Sequence, residues 1–177
     1  MHLYCKRYVI MKNYIVSLLI LLVVSSCSSD DVESYDISTF YFTTESRILL
    51  TTENEYTYAN IEYGENLVFK YEFIKADDPN IQDDEYSERL IFEIDPSLDN
   101  FTYNAEDITN AKAYFNQYCF CSDTQSIPIV SGTINGTKLG LNDWLVSIDV
   151  SFELNGELQS RVINKVFSNR AIFRQSY

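Results

Sequence analysis

The chain has 177 residues, with 26 acidic side chains against 13 basic ones and a formal net charge of −13 at pH 7. A negative field of this size repels nucleic acid and anionic lipid head groups, so neither is expected to bind the folded domain. The single histidine, His2, lies near the N-terminus. This argues against histidine-based catalytic triads and against zinc or copper sites, and no cofactor is expected.

The N-terminal segment has the layout of a signal peptide. Basic side chains precede an apolar run over residues 15–24. That run is too short to cross a bilayer core, which needs about 20 helical residues. A basic flank followed by a short apolar core is typical of export signals, so residues 1–26 are predicted to be removed. Either Met1 or Met11 could be the start of translation.

The apolar run ends in Val24-Ser25-Ser26-Cys27, which resembles the lipobox of bacterial lipoproteins. The resemblance implies cleavage before Cys27, a diacylglyceryl group on its thiol and a further acyl chain on the new N-terminus. Each buried methylene contributes about 0.8 kcal/mol, so two or three chains form a stable membrane anchor. The alternative is an ordinary signal peptide with an incidental cysteine.

Residues 27–34 are predicted to be the lipidated cysteine and a polar tether. Ser28-Ser29-Asp30-Asp31 is similar to the export signals of surface lipoproteins of Bacteroidota. This similarity implies an exported chain that is anchored to the outer membrane and displayed at the cell surface; a solvated linker is the alternative. Removal of the signal leaves ten basic against 26 acidic side chains, a net charge of −16 over 151 residues. This length suits one domain, residues 35–177.

Beyond the tether, apolar and polar residues alternate with a period of two, the pattern of half-buried strands. A short helix is predicted over residues 105–111, with Asn104 and Asp107 as a start that resembles a capping box. A helical apolar stripe that continues to residue 118 is the alternative. The strands are predicted at residues 36–44, 47–52, 66–75, 88–94, 113–121, 127–138, 144–153, 157–167 and 171–175.

The last third of the chain has the clearest pattern. Asn155-Gly156 supplies the positive φ angles of a two-residue type I′ turn, which predicts a tight hairpin. Trp144 begins a strictly alternating strand and is predicted to be buried. With the preceding segment, residues 131–134, these features resemble the C-terminal strands of small β-sandwich lipoproteins of Bacteroidota. We predict a mainly β fold: a single antiparallel β-sandwich, or partly open barrel-like, domain with at most one short helix.

Cys119 and Cys121 are the thiols that accompany the anchor in the mature chain. Alternate residues of a strand lie about 6.6–6.8 Å apart at Cα, near the upper limit for a disulfide, so a bond between them needs a local kink. We expect two small buried side chains. A reactive pair in an oxidising compartment is the alternative.

Two groups of residues are candidate binding sites. Tyr56, Tyr58 and Tyr63 are aromatic side chains that could stack on a sugar ring at the surface. A polar segment with five acids is a weak calcium candidate, because clustered carboxylates suit a hard cation, but it lacks the spacing of an EF-hand loop. A solvated loop is favoured there. The candidate calcium ligands are Asp77, Asp78, Asp83 and Asp84.

The sequence has no glycine-rich phosphate loop, nucleophile elbow or thiol–histidine arrangement. We therefore predict a non-catalytic module of the cell envelope that binds a glycan, a peptide or a partner protein. The alternative is a small carboxylate-dependent hydrolase, similar to a glycosidase, in which one acid has a raised pKa and a second is ionised.

The lipid anchor predicts a simple experimental result. Replacement Cys27→Ser removes the thiol that accepts the diacylglyceryl group, so the chain should lose its lipid and leave the membrane fraction. Mass spectrometry and membrane fractionation would measure this, with Cys121→Ser as the matched control that keeps the anchor. Unchanged processing and fractionation of Cys27→Ser would contradict the lipoprotein prediction.

Overall fold

The computed structural model describes residues 35–78, 80–120 and 125–170. The predicted signal (1–26), Cys27, the tether that follows it and the predicted strand at 171–175 lie outside the described residues. Within them, no helix is both long and apolar enough to cross a membrane. The elements are β1 (Ile37–Glu53), β2 (Tyr56–Tyr63), β3 (Asn66–Ile74), β4 (Tyr86–Ile94), β5 (Asn100–Tyr103), α1 (Ala105–Asn110), β6 (Tyr114–Cys119), β7 (Ile127–Pro128), β8 (Ser131–Lys138), β9 (Asp143–Leu154) and β10 (Glu157–Asn169).

The ten strands form one curled, open sheet, a half-barrel. Its order is β5-β8-β9-β10-β1-β3-β4-β6-β7, and β2 pairs with β1 beside this path. Neighbouring strands are antiparallel except β1 and β10, which are parallel over Tyr41 and Phe42. The prediction of a mainly β domain with at most one short helix is confirmed, and of its two forms, β-sandwich or partly open barrel-like, the structure has the second.

The main core lies on the inner face of the curl. In β9 every even-numbered residue from Trp144 to Phe152 is buried, while the odd-numbered residues are half-buried or exposed. Curling brings the inner faces of distant strands together. Phe115 of β6 stacks on Phe152 of β9 with 4.1 Å between ring centroids, although four strands lie between them in the sheet. This ring pair therefore joins the two limbs of the half-barrel.

Aromatic rings fill the centre of this core. The Phe69 ring lies 5.0 Å from Phe92 in a stacked arrangement and 5.7 Å from Trp144 at right angles. Offset and edge-to-face pairs of this kind add about 0.5–1.5 kcal/mol each beyond the area they bury. Trp144 is buried, as predicted from the alternation of its strand.

β1 is one strand of 17 residues, so the prediction of two short strands with a break between them was wrong. The pairing with β3 shifts between Thr43 and Ser46, and Glu45 has a φ of 50°. An extra residue of this kind is a β-bulge, which bends a strand without ending it. The polar residues at 44–46 therefore mark a bulge inside a continuous strand.

β2 was not predicted as a strand. Asn54 and Glu55 both have positive φ, 48° and 74°, so a two-residue turn of the type I′ kind joins β1 to β2 without a glycine. The resulting hairpin packs on the outer face of β3 and β4 and encloses a second, smaller core. Its buried members are Ile48, Ala59, Val68 and Ile91.

Polar contacts hold this hairpin to the sheet. Glu93 of β4 is buried, accepts a hydrogen bond of 2.7 Å from the Ile48 backbone N–H and forms a 2.8 Å ion pair with Lys112. On the β2 edge, the Ser126 hydroxyl oxygen accepts a hydrogen bond of 2.8 Å from the Ala59 N–H. Since a buried polar group without a partner costs about 1–3 kcal/mol, these contacts satisfy groups that the hairpin would otherwise bury unpaired.

One further predicted strand needs correction, one short strand was not predicted, and two local predictions are confirmed. The predicted strand at 127–138 is two strands, β7 and β8, because the first pairs with β6 and the second with β9. The short strand β5 was missed. Helix α1 begins after its N-cap Asn104, and Asn155 and Gly156 have the expected positive φ angles.

The ring pair between the limbs predicts a large effect on stability. Replacement Phe115→Ala removes one ring of the stack and leaves a cavity, so the free energy of unfolding should fall by about 3–5 kcal/mol. Urea unfolding followed by the fluorescence of Trp144 would measure it. The control Leu158→Ala truncates a side chain that is 78 % exposed and should change stability by less than about 0.5 kcal/mol. Equal stability of the two variants would contradict the proposed role of the ring pair.

Candidate functional site

The three tyrosines singled out in the sequence do not share a face of the sheet. They lie on β2, which pairs with β1 in continuous register. Because side chains alternate along a strand, Tyr56 and Tyr58 point to one face and Tyr63 to the other. Tyr63 is 70 % exposed, whereas the other two are half-buried. The structure therefore does not bring the three rings together as one stacking platform.

The acidic segment uses its carboxylates to hold its own turns. The Asp78 N–H donates to Asp84 Oδ2 at 2.7 Å, and the Asn80 N–H donates to Asp78 Oδ1 at 2.9 Å. Hydrogen bonds from Asn80 hold the pKa of Asp78 below its ordinary value, so this carboxylate is ionised at neutral pH. Within the described residues, no group of three or more acidic, cysteine or histidine side chains is arranged to hold a metal ion.

Cys119 is half-buried and disulfide-bonded, so the expectation of a small buried side chain does not hold for this residue. β6 ends at Cys119. The Cα spacing of alternate strand residues, which is near the upper limit for a disulfide, therefore does not apply beyond this residue. The Gln117 side-chain amide donates to the Cys119 sulfur at 3.3 Å. Cys121 lies outside the described residues.

A polar cluster that the sequence did not predict lies on the inner face of the half-barrel. Arg161 of β10 donates from Nε to Glu88 Oε2 of β4 at 2.7 Å and from Nη2 to Glu88 Oε1. The Tyr86 hydroxyl donates to the same Oε1 at 2.5 Å. We call these residues, together with Tyr71, the Arg161 cluster. The charges of Glu88 and Arg161 both affect the pKa of Tyr71. The Glu88 side chain is 8 % exposed, so the cluster is a largely buried ion pair.

The Arg161 cluster lies directly on the ring pair that joins the limbs. The guanidinium carbon of Arg161 is 5.3 Å from the centroid of Phe115 and 5.9 Å from that of Phe152. A cation over an aromatic face is attracted by about 0.5–2 kcal/mol, depending on how dry the site is. The cluster thus connects β4 to β10 across two intervening strands.

Burial and the Glu88 charge raise the pKa of both tyrosines in the cluster. Burial, followed by the hydrogen bond to Glu88 and the charge of that carboxylate, raises the pKa of Tyr86 to about 12. Burial is also the largest cause of the raised pKa of Tyr71. The Arg161 pKa is raised by its hydrogen bond to Glu88. At neutral pH both phenols are therefore protonated beside a compensated ion pair.

A cleft of about 490 Å³ adjoins the cluster at Tyr86. We call it the strand-end cleft, because it crosses the ends of β3, β4 and β6. Ile74 and Phe120 are exposed side chains in its wall. Its volume falls within the range of roughly 300–1,000 Å³ that is usual for ligand sites. The lining residues are Ile74, Lys75, Asp77, Glu85, Tyr86, Ser87, Tyr118, Cys119 and Phe120.

A second cavity is smaller and polar. It has a volume of about 210 Å³ and lies between the ends of β3 and β4 and helix α1. Burial, and after it the charges of Asp107 and Asp95, raises the pKa of Tyr103 in its wall. Because this volume is below the usual range for ligand sites, the strand-end cleft is the better candidate.

The two buried carboxylates of the described residues cannot act together on one substrate. Glu88 and Glu93 are separated by an odd number of positions on β4, so they point to opposite faces of the sheet. Each is also neutralised by a cation, Glu88 by Arg161 and Glu93 by Lys112. A glycosidase needs two carboxyl groups that flank the same bond, and this pair does not provide them.

Comparison with protein-family models, with curated proteins and with solved structures finds no match to this chain. The strand-end cleft is therefore the candidate site because of its volume, its exposed apolar lining and its position beside the Arg161 cluster.

The raised pKa of Tyr86 predicts a loss of stability in alkali. The folded chain holds this phenolic proton more tightly than the unfolded chain, whose ordinary pKa is about 10. The resulting stabilisation is complete below about pH 10 and is lost as the pH rises towards about 12. Replacement Tyr86→Phe should therefore flatten the decline in the urea midpoint over this range. It should not abolish the decline, since Tyr71, Tyr103 and Tyr114 also have raised pKa values.

Tyr63→Phe is the matched control, because it removes a hydroxyl group from an exposed ring outside the Arg161 cluster. It should keep the wild-type pH dependence. An equally steep decline in Tyr86→Phe and in wild type would show that Tyr86 is not linked to folding in this way.

Proposed function

We propose that this chain is an exported lipoprotein of the cell envelope, held by acylated Cys27, whose β domain is a non-catalytic binding module. The binding surface is the strand-end cleft. The anchor is supported by the basic flank, the short apolar run and the lipobox-like residues 24–27. The similarity of residues 28–31 to surface export signals favours the outer membrane and display at the cell surface.

The observation that carries the binding role is the strand-end cleft itself. Fourteen large apolar side chains are exposed in the described residues, and of these Ile74 and Phe120 lie together in the strand-end cleft. Exposed apolar surface in a concave site, with polar groups at its edge, is the usual composition of a binding site. The ligand would cover side chains that the fold leaves in water.

The carboxylate-dependent hydrolase is less well supported. The buried Glu88 carboxylate already accepts two hydrogen bonds from Arg161 and one from Tyr86. A general acid must instead carry a proton that it can give to a leaving group. Among the described residues, no second buried carboxylate shares its face of the sheet, and an ion-paired carboxylate of this kind is suited to holding the fold together.

Cross-linking on intact cells would test the proposed function. A tagged, lipidated chain should be recovered from the membrane fraction with cross-linked partners or glycan. Ile74→Ser combined with Phe120→Ser should remove these products, because the variants make the apolar wall polar. The control Leu158→Ser alters an exposed apolar side chain on β10 and should retain the products.

Two results would contradict this function. The first is a cross-linking pattern that the cleft variants leave unchanged while both proteins stay folded and membrane-bound. The second is turnover of a glycoside by the purified chain that is lost when one specific acidic residue is replaced by its amide.

A further inference from the structure

The strand-end cleft combines apolar side chains with aromatic rings. Ile74 is 46 % exposed and Phe120 is 80 % exposed, and both line the cleft together with the rings of Tyr86 and Tyr118. An aliphatic side chain offers no hydrogen bond, so the ligand must present an apolar group to Ile74. Aromatic faces attract apolar groups and also cations.

The connection beside the cleft is acidic. Between β3 and β4 it carries five acids, at positions 77, 78, 83, 84 and 85, against the single Lys75. Asp77, Glu85 and Lys75 line the cleft directly, so the lining carries two acids and one base, and the other three acids of the connection add to the negative field around it. The described chain has no metal-binding arrangement of these side chains. Their combined field therefore acts on whatever approaches the apolar wall, and it attracts cations and repels anions.

We propose that the strand-end cleft binds a segment of a partner protein in which a large apolar side chain stands next to lysine or arginine. This inference rests on the proposed function and names the ligand class of the same site. The apolar side chain packs on Ile74 and Phe120, and the neighbouring cation faces the acidic connection at Glu85. Charge complementarity selects this occupant, since the cleft wall and the whole chain have the same negative sign.

Other ligand classes match the cleft less well. A neutral glycan would gain nothing from the acidic connection and would place hydroxyl groups against the aliphatic Ile74. An acidic glycan or an acidic peptide would be repelled by the same carboxylates. A bare metal ion would leave the apolar side chains uncovered. A cationic and apolar peptide segment uses both features of the cleft.

A random-peptide library displayed on phage is a suitable probe, because it does not presuppose a partner. Selection would use the immobilised full chain, and counter-selection would use the bare support without protein. We expect enriched peptides that carry a large apolar residue beside lysine or arginine. Their binding, measured by fluorescence anisotropy with the synthetic peptide, should weaken as salt is raised, because screening reduces the attraction between exposed charges.

Single replacements would then locate the site. Phe120→Ala and Glu85→Gln should each weaken binding of the enriched peptide by about tenfold or more, as expected for residues at the centre of an interface. The matched controls are Leu158→Ala and Glu157→Gln, which make the same kind of change at exposed positions of β10. Both should bind as wild type does. Urea unfolding of every variant separates loss of binding from loss of folding.

Three outcomes would overturn the inference. They are enrichment of peptides that are acidic or lack large apolar residues, no enrichment over the counter-selection, and binding that Phe120→Ala leaves unchanged. A neutral glycan that binds and is lost in Phe120→Ala would overturn the peptide class while the binding-module function stands. If the cleft variants gave an unchanged cross-linking pattern on cells, that result would instead contradict the proposed function.

Discussion

The fold depends on one constraint: a single sheet must bury its inner face by closing on itself. No second sheet or long helix covers that face in the described residues. The closure is made by the Phe115–Phe152 stack and by the Arg161 cluster that lies on it. Because the rings need close contact and the ion pair needs a partner at hydrogen-bond distance, both set how far the sheet curls.

The ion pair and the rings support each other. Arg161 could not be taken out of water without Glu88, since a partly buried charge with no partner is costly. The rings beneath it exclude water from one side and so strengthen the charged hydrogen bonds. The guanidinium in turn lies over the faces of Phe115 and Phe152. Tyr86 belongs both to this cluster and to the wall of the strand-end cleft.

The sequence predicted the elements that depend on neighbouring residues. The alternation in β9, the Asn104 start of α1 and the Asn155-Gly156 turn need only local chemistry, and all three are present. The predictions failed where the chain uses a turn or a strand irregularity that its local sequence does not usually signal. Asn54 and Glu55 make a tight turn without glycine, and Glu45 forms a bulge where a break was expected.

The Arg161 cluster beside the candidate site was harder to predict because its parts are distant in the sequence. Glu88 and Arg161 are separated by 73 positions, and only the closure of the sheet brings them together. A signal was present nonetheless. Glu88 lies in phase with the inward-facing Leu90 and Phe92, and Arg161 lies in phase with the buried Ile163 and Phe167. A charge at an inward position of a strand requires an opposite charge on another inward face.

The charge of the chain connects the proposed anchor to the proposed binding site. Residues 28–34 can span at most about 25 Å when fully extended, at 3.3–3.6 Å per residue, so an anchored domain stays close to the membrane surface. The predicted mature chain has a net charge of −16, so anionic head groups repel it within about a Debye length, roughly 8 Å at physiological ionic strength. The acidic connection beside the cleft adds to this repulsion locally. The electrostatics of the cleft therefore favour a cationic protein segment over an anionic membrane surface as what the cleft binds.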